Sequence, residues 1–123
     1  MNLKLGLATV LASNVIATAA LGAGCRTIPF RFFPEQNDSV TAASVMDARG
    51  CLHRFGSGGT MQMTSYTIAS RPSHGTLTPA GSMQFRYMPK PGYRGADSYA
   101  VRICGTSSGG RGCSNIRYNV TIE

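Results

Sequence analysis

The chain has 123 residues, a length from which we expect one domain. Hydrophobic residues make up 42% of the sequence, so a core is possible. Twelve Lys and Arg side chains oppose five Asp and Glu, which gives a net charge of +7, and ten of the twelve bases are Arg. A basic surface favours anionic partners, but these charges are scattered along the chain, and a scattered excess also serves solubility alone.

Residues 1–24 have the organisation of a secretory signal peptide. Lys4 precedes a mostly apolar run that small residues close. An uncleaved membrane anchor is one alternative, since the run is just long enough to span a bilayer. A lipid anchor on Cys25 is another, although Gly22 stands where a bacterial lipobox has a Leu-like residue. We expect removal of residues 1–24 and a single exported domain over residues 25–123, periplasmic or secreted.

The next part of the chain is predicted to be extended. Residues 25–33, "CRTIPFRFF", form an N-terminal strand that Pro29 confines to a sheet edge, and "EQNDS" is a turn. Residues 39–55 alternate apolar and small side chains around the turn "DARG". This pattern favours strand–turn–strand, although its Ala and Met residues would also suit a helix.

The middle of the chain predicts a loop, a strand and a hairpin. Residues 56–59, "GSGG", form a loop that lacks the Lys-Ser/Thr of a phosphate-binding loop. Residues 60–70 form a strand, and one face of it carries Gln62, Thr64, Tyr66 and Ile68. In "TLTPAGSMQFRYM" the chain turns at "PAGS", and one side of the second strand carries Met83, Phe85 and Tyr87. The Pro/Gly-rich connection "PKPGYRGAD" leads to the last two strands.

The four cysteines predict two disulfides, because the count is even and export places them where disulfides persist. Zinc is disfavoured, since there is no Cys-x-x-Cys and the two histidines lie far apart in sequence. In "DSYAVRIC" and "CSNIRYNVTI" apolar side chains alternate with Arg, Asn and Cys, so Cys104 and Cys113 face away from the core. The eight residues between them are turn formers, which predicts a β-hairpin bridged across its mouth. This excludes a buried bridge from Cys51 to Cys104 and leaves Cys25 to pair with Cys51.

Turn signals recur about every ten residues, and no helical period appears beyond the first 24 residues. Strands at that spacing are typical of sandwiches. We therefore predict an all-β chain, an Ig-like antiparallel β-sandwich of about seven strands after the signal peptide.

Residues 72–99 also resemble bacterial immunoglobulin-like and cadherin-like domains of exported and surface proteins. The family pattern runs Pro-x-His-Gly-Thr-Leu, then Gly-x-x-x-Phe-x-Tyr-x-Pro, then Gly-Tyr-x-Gly-x-Asp-Ser-Phe. The matching residues are Pro72, His74, Gly75, Thr76, Leu77, Gly81, Phe85, Tyr87, Pro89, Gly92, Tyr93, Gly95, Asp97 and Ser98, with Tyr99 in place of Phe. The resemblance implies the sandwich fold and scaffold roles for these residues, with Asp97 capping free amides of the connection.

The sequence departs from that family in three respects. It has no internal repeat, whereas family members often occur in tandem; it has disulfides; and its five acids form no Asp-x-Asp, so calcium is not expected. An enzyme is not predicted either, because His53, His74 and the acids form no triad or carboxylate pair in the sequence. No cofactor or metal is expected.

The predicted function is a non-catalytic binding or structural role in the bacterial envelope or outside the cell. The expected partner is an envelope or extracellular protein or glycan. Tyr93, Arg94 and Arg111 are the candidate anchors, since they lie in loops and Tyr and Arg dominate binding hot spots. The alternative is a basic module that docks on anionic envelope polymers, lipid headgroups or nucleic acid with strong salt dependence, although no nucleic-acid partner is expected in vivo.

Overall fold

The computed structural model describes residues 24–56 and 61–123. It contains eight strands: β1 (Arg26–Thr27), β2 (Ser39–Met46), β3 (Cys51–Arg54), β4 (Gln62–Ser70), β5 (Gly75–Pro79), β6 (Gln84–Pro89), β7 (Gly95–Ser107) and β8 (Gly110–Ile122). A 3-10 turn spans Pro34–Gln36. The predicted signal peptide, apart from its last residue, and residues 57–59 of the predicted loop lie outside the described residues.

The strands form two sheets, which confirms the predicted all-β sandwich. A large sheet of five strands has the order β1-β2-β8-β7-β4, and a small sheet of three strands has the order β3-β6-β5. Strands β2 and β8 are parallel, so the prediction of an antiparallel sandwich is wrong at this pair, because no hairpin joins these two strands. The other neighbours are antiparallel. The strand–turn–strand prediction over residues 39–55 and the hairpin at "PAGS" are confirmed. No helix in the described part of the chain is long and apolar enough to cross a membrane.

Aromatic rings join the two sheets in the core. Tyr87 of the small sheet stacks on Tyr99 of the large sheet with ring centroids 4.8 Å apart, and Tyr99 stacks on Tyr118 at 5.4 Å. Phe85 meets Tyr118 edge to face at 5.9 Å. All four rings are almost fully buried. Such rings bury large apolar areas and pack in preferred geometries, so they contribute strongly to holding the sheets together.

The N-terminal segment differs from its prediction. Only two residues of the predicted strand over residues 25–33 form a strand, β1, at the edge of the large sheet. The chain then leaves this edge. The ring centroid of Phe30 lies 6.0 Å from that of Tyr118, and the ring centroid of Phe32 lies 6.3 Å from that of Phe55. Both rings are partly buried against the core, and this packing stabilises the path.

The β7–β8 hairpin is longer than predicted. Its ladder continues past Cys104 and Cys113, so Ser108 and Gly109 alone lie outside the strands instead of an eight-residue loop. Gly110 has φ = 122°, a backbone conformation that residues other than glycine rarely adopt. Glycine at this position therefore allows the tight turn. Cys104 and Cys113 are direct partners in the ladder and form a disulfide, with Cα atoms 4.0 Å apart.

A second disulfide joins Cys25 to Cys51 and ties the start of the N-terminal segment to β3. The described residues contain no free cysteine. Two disulfides indicate an oxidising, non-cytoplasmic compartment.

Strand β4 carries a bulge that changes its inward face. The register to β7 shifts just after Met63. As a result Met63, Tyr66 and Ile68 pack on the core, whereas Gln62 and Thr64 are exposed. The prediction that Gln62 and Thr64 share a face with Tyr66 and Ile68 is therefore wrong, because a bulge inserts one residue and shifts the alternation.

Candidate functional site

The three predicted anchors lie at two ends of the sandwich. Tyr93 and Arg94 precede the start of β7, and Arg111 lies near its far end, opposite Thr106. At about 3.3 Å per residue the two ends are about 35 Å apart. The anchors therefore do not form one site.

Tyr93 is half-buried rather than an exposed anchor. Its hydroxyl donates to the Ala96 carbonyl at 2.6 Å, and its ring lies parallel to the His74 ring with centroids 4.0 Å apart. These contacts hold Tyr93 against its own loop and against the β4–β5 turn. Arg94 is the exposed predicted anchor at this end.

Asp97 connects three segments from a nearly buried position. Its Oδ1 accepts the backbone N–H groups of Ser73 and Ser98, both at 2.9 Å, and its Oδ2 accepts the His74 N–H at 3.0 Å and the Tyr87 hydroxyl at 2.7 Å. Burial favours a higher pKa, but these hydrogen bonds outweigh it and lower the pKa of Asp97 below its usual value. Two of the capped amides belong to the β4–β5 turn, not to the β6–β7 connection, which corrects the prediction from the family pattern.

His53 lies between the sheets and is 5% exposed. Its Nε2 shares a hydrogen bond of 2.7 Å with the Tyr99 hydroxyl, and its ring centroid lies 4.2 Å from that of Tyr118 and 4.9 Å from that of Phe85. Burial lowers the pKa of His53 to about 4, so the imidazole is neutral at physiological pH. His53 and Asp97 are thus both engaged in contacts that hold the fold together.

The outer face of the large sheet carries four exposed arginines, one on β1 (Arg26, beside Val45) and three on β7 and β8. The continuous β7–β8 register places Arg102 opposite Asn115 and Arg117 opposite Ala100. Since side chains alternate along a strand, Arg102, Arg111 and Arg117 all lie on the solvent side of this sheet, and all three are exposed. We call this set of three residues the arginine face.

The spacing of the arginine face follows from the ladder. Arg102 and Arg117 are diagonal neighbours on adjacent strands, so their Cα atoms lie about 7–8 Å apart. Arg111 lies farther along β8, about 20 Å from Arg117. Arg117 Nη2 also donates to Ser98 Oγ at 3.3 Å.

Small side chains, most of them polar, surround the arginine face. At the neighbouring outward positions of the large sheet lie Ser39, Thr41, Ser65, Thr67, Ser98, Ala100, Asn115 and Asn119. Asp97 is the one acid within the described strands, and it is buried on the opposite side. Within residues 24–56 and 61–123 the one ion pair joins Arg49 to Asp47, so the three guanidinium groups have no carboxylate partner.

An open groove of about 600 Å³ continues the arginine face toward the start of β7. The outward side chains that line it are Ala43, Val45, Ala96, Ser98, Asn119 and Thr121, and the turn at Ser73 and His74 lines it together with the nearly buried Asp97. Because Arg117 binds Ser98, this arginine stands where the arginine face meets the groove.

No protein-family model and no curated protein matches this chain. The resemblance of residues 72–99 to bacterial Ig-like domains therefore stays a prediction. Among the residues that the structure describes, no three or more His, Cys, Asp or Glu side chains are grouped as metal ligands would be.

The sequence prediction missed Arg102 and Arg117. The signal was present, because strand alternation already places Arg102 and Arg117 opposite the core. The predicted Cys104–Cys113 bridge also implies the register that brings Arg102 beside Arg117. What the sequence did not supply was the short turn, which lets the ladder continue past this bridge and places Arg111 on the same face.

Proposed function

We propose that the protein is an exported, non-catalytic Ig-like domain that binds an anionic partner of the bacterial envelope or of the cell surroundings through its arginine face. The observation that carries this proposal is the position of Arg102, Arg111 and Arg117 on the outer surface of one sheet without a carboxylate partner. Exposed guanidinium groups without a carboxylate partner attract the carboxylate, sulfate or phosphate groups of other molecules.

The order of the strands supports the Ig-like assignment. In Ig domains strands B, E and D lie in one sheet and strands C, F and G in the other. Here β3, β6 and β5 have the order of B, E and D, while β4, β7 and β8 have that of C, F and G. The bridge between strands B and F of antibody domains would join Cys51 to Cys104, but both cysteines have other partners.

Two further observations support an exported binding module. Both disulfides fit an oxidising compartment outside the cytoplasm. His53 and Asp97 are committed to internal hydrogen bonds with Tyr99, Tyr87 and the β4–β5 turn, so they act as scaffold groups in the proposal.

The triple variant Arg102→Ala, Arg111→Ala, Arg117→Ala is expected to bind linear inorganic polyphosphate about 10- to 100-fold more weakly than the wild type at low salt. Each exposed arginine contributes about 0.5–1 kcal/mol to such binding. Titration calorimetry at several salt concentrations measures the loss. The affinity of the variant should also fall less steeply with salt, because fewer counterions are released on binding.

The matched control is Arg31→Ala, Arg54→Ala, Arg71→Ala. It removes the same charge from exposed arginines outside the arginine face. We expect it to retain most of the wild-type affinity. An equal loss in both variants would assign the binding to net charge and contradict a site on this face.

A further inference from the structure

We infer that the anionic partner is a linear acidic polysaccharide that runs from Arg111 past Arg102 and Arg117 into the groove beside Ser98 and Asn119. This inference rests on the proposed function, since it names the ligand class of the same surface.

The arginine face and the groove form one continuous track. Beyond Arg117, the next outward residues of β8 are Asn119 and Thr121, which pair with Ser98 and Ala96 of β7 and line the groove. From Arg111 to Thr121 the track extends over about 33 Å of strand. A track of that length suits an extended polymer better than a single small anion.

The two parts of the track differ in chemistry in the way an acidic glycan requires. The arginine face supplies guanidinium groups for carboxylates or sulfates. The groove supplies the hydroxyls of Ser98 and Thr121 and the amide of Asn119, which both donate and accept hydrogen bonds as sugar hydroxyls do. The methyl groups of Ala43 and Ala96 lie beside them and offer contact to the C–H faces of a sugar ring.

Other polyanions fit the track less well. Single-stranded nucleic acid is held by aromatic side chains on which its bases stack, and the outward positions of the described strands of the large sheet carry no aromatic residue. Docking on a membrane by charge uses clusters of about four to eight bases, or large apolar side chains that enter the lipid. The four arginines on the outer face of the large sheet are spread over β1, β7 and β8 among small side chains rather than clustered.

The test uses the disulfide-bonded protein and two probes in titration calorimetry. Polygalacturonate carries carboxylates on sugar rings, and polyphosphate carries charge alone. The variant Ala43→Trp fills the groove from an exposed position of β2 without a change in charge. We expect it to weaken polygalacturonate binding by about tenfold or more and to leave polyphosphate binding within about twofold. Ala69→Trp, an exposed change on β4 outside the groove, should affect neither.

The possible results separate this inference from the proposed function. It is overturned, while the proposed function stands, if Ala43→Trp leaves polygalacturonate binding unchanged or if polyphosphate alone binds. Tighter binding to duplex DNA or to phosphatidylglycerol vesicles than to polygalacturonate, at equal charge concentration, would also overturn it. If none of these anions binds the wild type, both proposals fail. Circular dichroism melting of each variant verifies that the fold is retained.

Discussion

Replacement of Asp97 by asparagine is expected to lower the free energy of unfolding by about 3–5 kcal/mol. Each carboxylate oxygen of Asp97 accepts two hydrogen bonds, from the backbone N–H groups of Ser73, His74 and Ser98 and from the Tyr87 hydroxyl. In asparagine an NH2 group replaces one of these oxygens, so a donor then faces the donors that the oxygen had accepted from. At least one nearly buried N–H group then loses its partner, and the remaining hydrogen bonds lose the negative charge that strengthens them.

Denaturant unfolding, compared at equal m-value, measures this loss. Asp47→Asn is the matched control, since Asp47 also accepts a turn N–H and pairs with Arg49, but in an exposed position. The control should lose much less stability than Asp97→Asn, because exposed ion pairs contribute little. If Asp97→Asn were as stable as Asp47→Asn, the hydrogen bonds of Asp97 would not hold the β4–β5 turn to β7.

Local alternation was enough to predict much of the fold. In "DSYAVRIC" and "CSNIRYNVTI" it separated the core side of each strand from the outer side, and the hairpin that follows places Cys104 directly opposite Cys113. The same reasoning identified the two strands over residues 39–55. These elements are predictable because one face of each strand is buried, so the two-residue period is strongly imposed.

The features that the sequence did not reveal depend on contacts between distant segments. The path of Phe30 is set by Tyr118 in β8, near the end of the chain. The path of Phe32 is set by Phe55, which directly follows β3 of the small sheet. The bulge after Met63 in β4 leaves no pattern of its own in the sequence. The place of Arg111 on the arginine face depends on a ladder that continues past the disulfide, because the turn is much shorter than its glycine-rich sequence indicated.

His53 shows how a local interpretation can mislead. Its neighbour Arg54 suggests a basic, solvated stretch, but Cys51, His53 and Phe55 share one side of β3 and its extension and are all buried. Alternation with two apolar residues was the signal of burial. The identity of the hydrogen-bond partner, Tyr99, depends on how the two sheets face each other, which the sequence does not show.

A fall in pH from 7 to 4 is expected to destabilise the protein by about 3 kcal/mol through His53 alone. Burial lowers the pKa of His53 from 6.5 to about 4 in the folded protein. Between these two values the unfolded chain binds a proton that the folded protein does not bind. The stability is therefore fully present above about pH 6.5 and declines as the pH falls toward 4, at up to about 1.4 kcal/mol per pH unit.

Denaturant unfolding from pH 7 to pH 4 tests this expectation in the wild type and in His53→Gln. The variant keeps a neutral polar group beside Tyr99 and should be nearly independent of pH in this window, although less stable at pH 7. Asp97 acts in a lower range, because its folded pKa lies below 3.8, so its contribution is lost only as the pH falls further. His74→Gln, which removes the other histidine outside the core, should keep the decline of the wild type. A decline that persists in His53→Gln would mean that the acid sensitivity arises at another group.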